Sequence, residues 1–253
     1  MQNSILQQMN DRKAQGLKSF TLLIDPDHFD TARCEALLKV KAFERADFIF
    51  VGGSLIQGLN IGETIQTIKQ YTDKPVIIFP GSNMHIDAGA DAILFLSLIS
   101  GRNPEFLIGQ HVVSAPILRK SKIEILPTGY MLIEGGKATT ASYMSNTTPL
   151  PHDKPEVAAC TAMAGEMLGL KLMYADTGSG AEKSVSNKMV NMLSQSVSCP
   201  IIIGGGIRTA SRAVEILESG GDTIVIGNAI ESNPDFLTEV FEKINNLNEK
   251  VKI

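Results

Sequence analysis

Cysteine is scarce: Cys34, Cys160 and Cys199 form an odd, scattered set without CxxC spacing. No disulfide framework or zinc motif can be read from them, and each sits in an apolar context, which predicts buried thiols in a reducing cytoplasm. The four histidines, His28, His85, His111 and His152, show no metal-ligand spacing and pair with no nucleophile motif. They are read as structural or surface residues. Basic charge is not in excess either, with 23 Lys plus Arg against 27 Asp plus Glu. A general nucleic-acid binder needs a basic face to displace counterions, so nucleic acid is not an expected partner and any bound anion must be held by a local site. The segment "MQNSILQQMNDRKAQG" lacks an uninterrupted apolar core, and no stretch approaches about 20 consecutive apolar residues. Neither secretion nor a membrane span is expected, and the predicted location is the cytoplasm.

What is present is an ordinary folded composition, 43% hydrophobic and 20% charged over 253 residues, long enough to bury a substantial core. Eight short β-rich runs recur: "FTLLID", "DFIFVGG", "PVIIFPG", "DAILFLSL", "IEILPTGYMLIE", "LKLMYADTG", "PIIIGGG" and "DTIVIGN". Segments of helical periodicity separate most of them. Runs apolar on both faces that alternate with amphipathic helices signal a parallel sheet covered by helices. Eight units of roughly 32 residues predict a (β/α)8 TIM barrel, one domain over 1–253. Pro75 to Gly81 resembles Pro200 to Gly206, and "GADAI" at Gly89 resembles "GGDTI" at Gly220. Units three and four thus echo units seven and eight, half a turn around a closed barrel.

Two units are irregular. Only "SNMHIDAGA" separates strands three and four, so an irregular or shortened helix is predicted there. After strand five, "GGKATTASYMSNTTPLPHDKPE" predicts a structureless polar loop of about twenty residues, of the kind that carries function.

In such barrels, binding groups gather at the C-terminal strand ends, and phosphate commonly sits on the loops after strands seven and eight. That draws attention to Gly204, Gly205 and Gly206 in "CPIIIGGGIRTA", and to Gly227 and Asn228 in "IVIGNAI". Glycine lets backbone N–H groups approach an anion, and the helix opening near Thr209 turns its positive end to the same point. Tight turns alone would also call for glycine; the pattern in both loops favours a phosphate cradle. Strand six ends in "YADTGSGA", where Tyr174, Asp176, Thr177 and Ser179 bring polar groups to the rim and Gly178 and Gly180 leave N–H groups open. Such a mixture suits a polyol phosphate, with one carboxylate to take a proton. A helix or turn cap is the alternative, less favoured reading of Asp176. Strand one ends in "IDPDH", where Asp25 enters the barrel mouth and Asp27 adds a second charge. Magnesium uses one or two carboxylates with water and substrate phosphate, and Ser54 in "VGGSL" could add an oxygen. Asp25 as a loop anchor is equally open.

Taken together, "LLIDPDH", "FIFVGGSL", "PVIIFPGS", "LPTGYMLIEGG", "SNTTPLP", "YADTGSGA", "PIIIGGGIRT" and "IVIGNAI" resemble the geranylgeranylglyceryl phosphate synthase family, including the bacterial PcrB-like heptaprenylglyceryl phosphate synthases. The resemblance runs over nearly the whole chain. It implies transfer of a polyprenyl group, with geranylgeranyl diphosphate the expected donor, to the 3-hydroxyl of sn-glycerol 1-phosphate, releasing diphosphate in ether phospholipid synthesis. It implies Mg2+ on Asp25 and Ser54. Glycerol phosphate would lie on Tyr174, Ala175, Asp176, Thr177, Gly178, Ser179 and Gly180, with Gly205, Gly206, Gly227 and Asn228. Asp176 would accept the glycerol proton, although many family members have Glu there. The prenyl chain would run beside the short third unit, with the loop after strand five as a lid. A homo-oligomer and transient membrane contact through the product's tail are expected. Two other readings stay open: a phosphate-binding isomerase barrel, for which Glu134 is the second acid/base candidate, and an idle prenyl- or phospholipid-binding barrel.

Overall fold

The eight apolar runs lie side by side in parallel and close on themselves. In the computed structural model, which describes residues 4–58, 60–227 and 234–251, the strands are β1 (Ser19–Ile24), β2 (Phe48–Gly52), β3 (Val76–Phe79), β4 (Ala92–Leu98), β5 (Glu124–Leu132), β6 (Leu172–Asp176), β7 (Ile201–Gly204) and β8 (Thr223–Ile226). They follow chain order around the barrel, and β8 pairs with β1. The chain is the TIM barrel its sequence predicts.

Strand side chains alternate between faces, and here both faces are apolar because both are covered. Phe48, Phe50, Ile77, Leu94, Leu126 and Tyr174 fill the barrel interior. Their neighbours Ile49, Val51, Val76, Ile78, Met173 and Ile203 face the surrounding helices. Those helices include α2 (Thr31–Lys39), α3 (Ala42–Arg45), α4 (Ile61–Lys69), α5 (Gln110–Lys120), α7 (Pro155–Met167), α8 (Asn187–Ser196), α9 (Ala210–Glu218) and α10 (Pro234–Val251), with α1 (Ile5–Ala14) before β1 and α6 (Thr140–Ser145) after β5. No described helix is long and apolar enough to cross a membrane.

Helix α1 closes the bottom of the barrel. Ile5 and Met9 join the interior cluster, and the Ile5 and Leu6 N–H groups donate to the Glu124 carboxylate at 2.6 and 2.9 Å. A carboxylate at a helix N-terminus satisfies donors that have no partner within the helix.

The third unit is short, as its sequence predicts: a single 3₁₀ turn, Asn83–His85, stands where a helix would cover the wall. Ser82 caps it, and His85 Nδ1 accepts from the Gly81 N–H at 3.1 Å. Two expectations are corrected. The loop after β5 is not structureless but contains α6, because Thr139 and Ser142 form a reciprocal capping box that fixes its first turn. Asn103 Nδ2 donates to the Ser145 carbonyl at 2.7 Å, and the segment returns at Leu150 to bridge Ile133. Cys160 is exposed, whereas Cys34 is buried and Cys199 half-buried. Ala158, Ala159 and Ala162 take the inner stripe of α7 and leave Cys160 on its outer side.

Candidate active site

The strand alternation that buries Leu172 and Tyr174 turns Asp176, the last residue of β6, into the barrel mouth. Asp176 is 6% exposed. Its Oδ1 accepts from the Gly178 N–H at 2.7 Å and its Oδ2 from the Tyr130 hydroxyl at 2.8 Å. Burial raises its pKa above the usual carboxylate value, against the pull of these two bonds. The cap and proton-acceptor readings of Asp176 are therefore compatible, since one oxygen closes the turn and the other faces the interior.

Tyr174 stands two residues lower on β6, roughly 6.6 Å down the strand, and is 1% exposed. It lies in the interior and not on the rim, where its sequence reading put it. Its ring stacks on Phe79 at 5.3 Å and meets Tyr130 edge-on at 5.4 Å. A Cβ at Gly204 would come within 2.6 Å of the Tyr174 hydroxyl, so this phenol rises directly under the first cradle glycine. Burial holds both tyrosines well above the ordinary phenol pKa, and they stay neutral. Tyr130 was not among the residues singled out by sequence.

The glycines serve close approach as well as turning. Gly205 and Gly206 have φ of 78° and 65°, in the left-handed region. A Cβ at Gly205 would collide with Thr177 Oγ1 and stand 2.8 Å from the Gly178 nitrogen; one at Gly206 would stand 2.8 Å from the Lys183 carbonyl. The loops after β6 and β7 thus meet backbone to backbone. Ala175 faces the helices from β6, in the outer core. Thr177 is buried, and its Oγ1 has no hydrogen-bond partner among the described residues. A buried hydroxyl of this kind calls for a partner. Ser179 and Gly180 are exposed at the loop tip. Gly227 follows β8 against Leu23; Asn228 lies outside the described residues.

Two arginines brace this side. Arg208 Nη2 donates to the Ala181 carbonyl at 2.8 Å. Arg212, in the first turn of α9, donates to Ser184 Oγ at 2.7 Å, the Val185 carbonyl at 2.6 Å and Asn187 Oδ1 at 2.6 Å. Thr209 caps that helix by accepting from the Arg212 N–H at 3.1 Å.

Across the mouth, Asp25 caps the 3₁₀ turn Pro26–His28 by accepting from the Asp27 N–H at Oδ1, 3.0 Å. Among the described residues this is its hydrogen bond; Oδ2 lies 3.8 Å from where a Cβ at Gly53 would stand. Asp25 is therefore an anchor with one oxygen left toward the end of β2, where Ser54 follows. A carboxylate and a hydroxyl on adjacent strand ends make a hard-oxygen pair that suits magnesium completed by water and phosphate. Asp27 differs from its expected part. Its oxygens accept from the Gln57 and Gly58 N–H groups at 2.6 and 2.9 Å, which hold its carboxyl below the usual range, so it clamps the loop after β2.

An apolar cavity opens between these two halves. Ser54, Phe79 and Tyr130 line its start, Leu96 and Phe95 its wall, and Ser114 and Leu118 of α5 its other end, with Ala141 and Met144 of α6 beside it. It runs past the short third unit, where the wall lacks a helix.

The model of the PcrB family matches residues 12–245. The chain belongs to the PcrB family. Among its relatives, a protein of Spirosoma linguale named geranylgeranylglyceryl phosphate synthase is 52% identical over 96% of this chain and 98% of its own length. One of the same name from Pyrococcus furiosus is 37% identical over 92% of each. The crystal structure of (S)-3-O-geranylgeranylglyceryl phosphate synthase from Thermoplasma acidophilum in complex with sn-glycerol-1-phosphate superposes with a TM-score of 0.89 at 33% identity, covering 96% of this PcrB-family chain and 99% of that one.

Proposed function

We propose that this protein is a prenyltransferase that joins a polyprenyl diphosphate, with geranylgeranyl diphosphate the expected donor, to the 3-hydroxyl of sn-glycerol 1-phosphate and releases diphosphate. The observation that carries the reading is the junction at Tyr130, which lines the apolar cavity and donates to Asp176 beside the glycine cradle. A water-soluble phosphate and an apolar chain would meet there. The names of the PcrB relatives and the glycerol phosphate in the Thermoplasma crystal structure support it.

In this reading the acceptor's phosphate lies on backbone N–H groups of Gly205, Gly206 and the Ser179–Gly180 loop tip, while the Gly178 N–H stays on Asp176 Oδ1; Gly227 is the further candidate after β8. Thr177 Oγ1 gains the partner it lacks. Asp176 takes the hydroxyl proton, as a buried carboxylate of raised basicity should. Asp25 and Ser54 would hold Mg2+, which supplies charge neutralisation for a leaving diphosphate. Helix α6 lies over the cavity and serves as its cover. The idle-barrel reading explains the cavity but not the acid and hydroxyl gathered at its mouth. An isomerase leaves the cavity unused, and its second acid, Glu134, spends Oε1 on the Gly136 N–H at 2.5 Å. Exposed Ile108, Val112, Val113 and Ile117, lying on and just before α5, support a homo-oligomer.

The deciding experiment is diphosphate release from geranylgeranyl diphosphate with sn-glycerol 1-phosphate or its 3-phosphate enantiomer, with and without magnesium. Magnesium-dependent turnover confined to the 1-phosphate is expected. Saturable glycerol phosphate binding without turnover on any prenyl donor would sink the enzyme reading and leave a binding barrel.

A further inference from the structure

Each oxygen of Asp176 accepts one hydrogen bond, Oδ1 from the Gly178 N–H and Oδ2 from the Tyr130 hydroxyl. Tyr130, not Asp176, lines the apolar cavity, together with Ser54 and Phe79. The phenol therefore stands between the carboxylate and the space where a prenyl carbon would arrive. The Tyr130 ring cannot turn away freely, because it is wedged against Phe79 at 6.0 Å and Tyr174 at 5.4 Å. Its geometry is set by the strands, since Tyr130 pairs with Tyr174 and Leu132 with Asp176 across β5 and β6. An Asp is one methylene, about 1.5 Å, shorter than a Glu, a gap comparable to the ~1 Å misplacement that can cost ~10²-fold in rate.

We infer that Tyr130 is a proton relay that carries the acceptor hydroxyl's proton to Asp176. This rests on the prenyltransferase reading. As the glycerol oxygen forms its bond to the allylic carbon and the carbon–diphosphate bond breaks, the glycerol O–H proton passes to Tyr130 Oη. Tyr130 gives its own proton to Asp176 Oδ2 in the same step. The phenol ends as it began, Asp176 ends protonated, and the electron pair of the broken C–O bond leaves with diphosphate. Burial makes a lasting phenolate costly while it makes the carboxylate more basic, and both effects favour transfer without a charged tyrosine intermediate.

The test compares the wild type with Tyr130→Phe, Asp176→Glu and the double variant, in single-turnover assays with geranylgeranyl diphosphate and sn-glycerol 1-phosphate. Tyr130→Phe should slow chemistry on the order of 10²-fold with KM for glycerol phosphate changed less than about 3-fold. Asp176→Glu in that background should restore at least about 10-fold, because the longer side chain reaches the hydroxyl directly. A Tyr130 with a purely packing role would show no such rescue. A proton inventory on the wild type, which needs no variant to fold, should bow downward from two protons in motion. A Tyr130→Phe rate within about 3-fold of wild type, a folded double variant no faster than Tyr130→Phe, or a linear inventory would overturn the relay. Absence of turnover by the wild type would instead overturn the prenyltransferase reading beneath it.

Discussion

A Cβ on Gly205 would stand 2.7 Å from Asp176 Oδ1. The cradle after β7 and the carboxylate of β6 are therefore one packed unit, and the backbone at 205 cannot gain a methyl group without moving the acid. Gly205→Ala also places an L side chain at φ of 78°, and the two effects together should cost about 1–3 kcal/mol of stability. The KM for sn-glycerol 1-phosphate should rise about 10-fold or more. Thermal denaturation and acceptor titration check both; a normal KM would remove Gly205 from the acceptor site.

Asp176 is held above the ordinary carboxylate pKa by burial. The unfolded chain has no such shift, so the charged form opposes folding above the folded pKa, and that penalty fades as pH falls through it. Asp176→Asn removes the penalty while its amide oxygen can still accept from the Gly178 N–H. Turnover should fall by at least about 10²-fold, whereas Tm should stay level or rise by about 2–4 °C. For the wild type, the acid limb of the kcat profile should lie above the usual value of about 3.9. An acid limb at or below it would reassign the proton acceptor.

Much of this was legible in the chain because barrel strands announce themselves. Runs such as "PIIIGGG" are apolar on both faces, and their ends mark the rim, so Asp25, Asp176 and the glycines could be placed from order alone. Tyr130 could not, because within "PTGYMLIE" it reads as one more interior residue. Its contact with Asp176 depends on the register of β5 against β6, which no local pattern encodes. The period of two along β5 does put it on the inner face, and that was the available signal. Tyr174 shows the converse error: parity with Asp176 was correct, but depth was not. The cap of α6 was hidden because Thr139 and Ser142 lie in a polar stretch that resembles ordinary loop. Arg212 carries no motif, and its bracing of the loop after β6 comes from packing of α9 alone.

Asp25 offers Oδ2 toward Gly53 while Oδ1 holds the 3₁₀ turn. Asp25→Asn can keep the turn through its amide oxygen but loses the charge a divalent cation needs. The expected outcome is a Tm within about 2 °C of wild type and a loss of at least about 10²-fold in kcat/KM with geranylgeranyl diphosphate. The magnesium concentration for half-maximal rate should also rise. Circular dichroism with a magnesium titration separates the cases. An unaltered magnesium response would leave Asp25 as an anchor only and move the metal elsewhere.

The α5 end of the cavity is where prenyl length should be set, because that is where an extended chain starting at Ser54 meets a wall. Ser114 is 6% exposed there and donates to the Gln110 carbonyl at 2.7 Å, with Leu118 one turn on. His111 adjoins it, edge-on to Phe95 at 4.4 Å, and burial lowers its pKa, which favours the neutral form. The end wall is thus uncharged and tolerates an apolar tail. Ser114→Trp would fill that end. Discrimination per methylene in an apolar pocket is about 1–3 kcal/mol, so use of a twenty-carbon donor should fall at least about 10-fold relative to a ten-carbon donor. The ratio of kcat/KM values for geranylgeranyl and geranyl diphosphate measures this directly. An equal loss for both donors would mean that the substitution disturbs the wall near Phe95 and not the length of the channel, and the prenyl chain would then have to leave the cavity before it reaches α5.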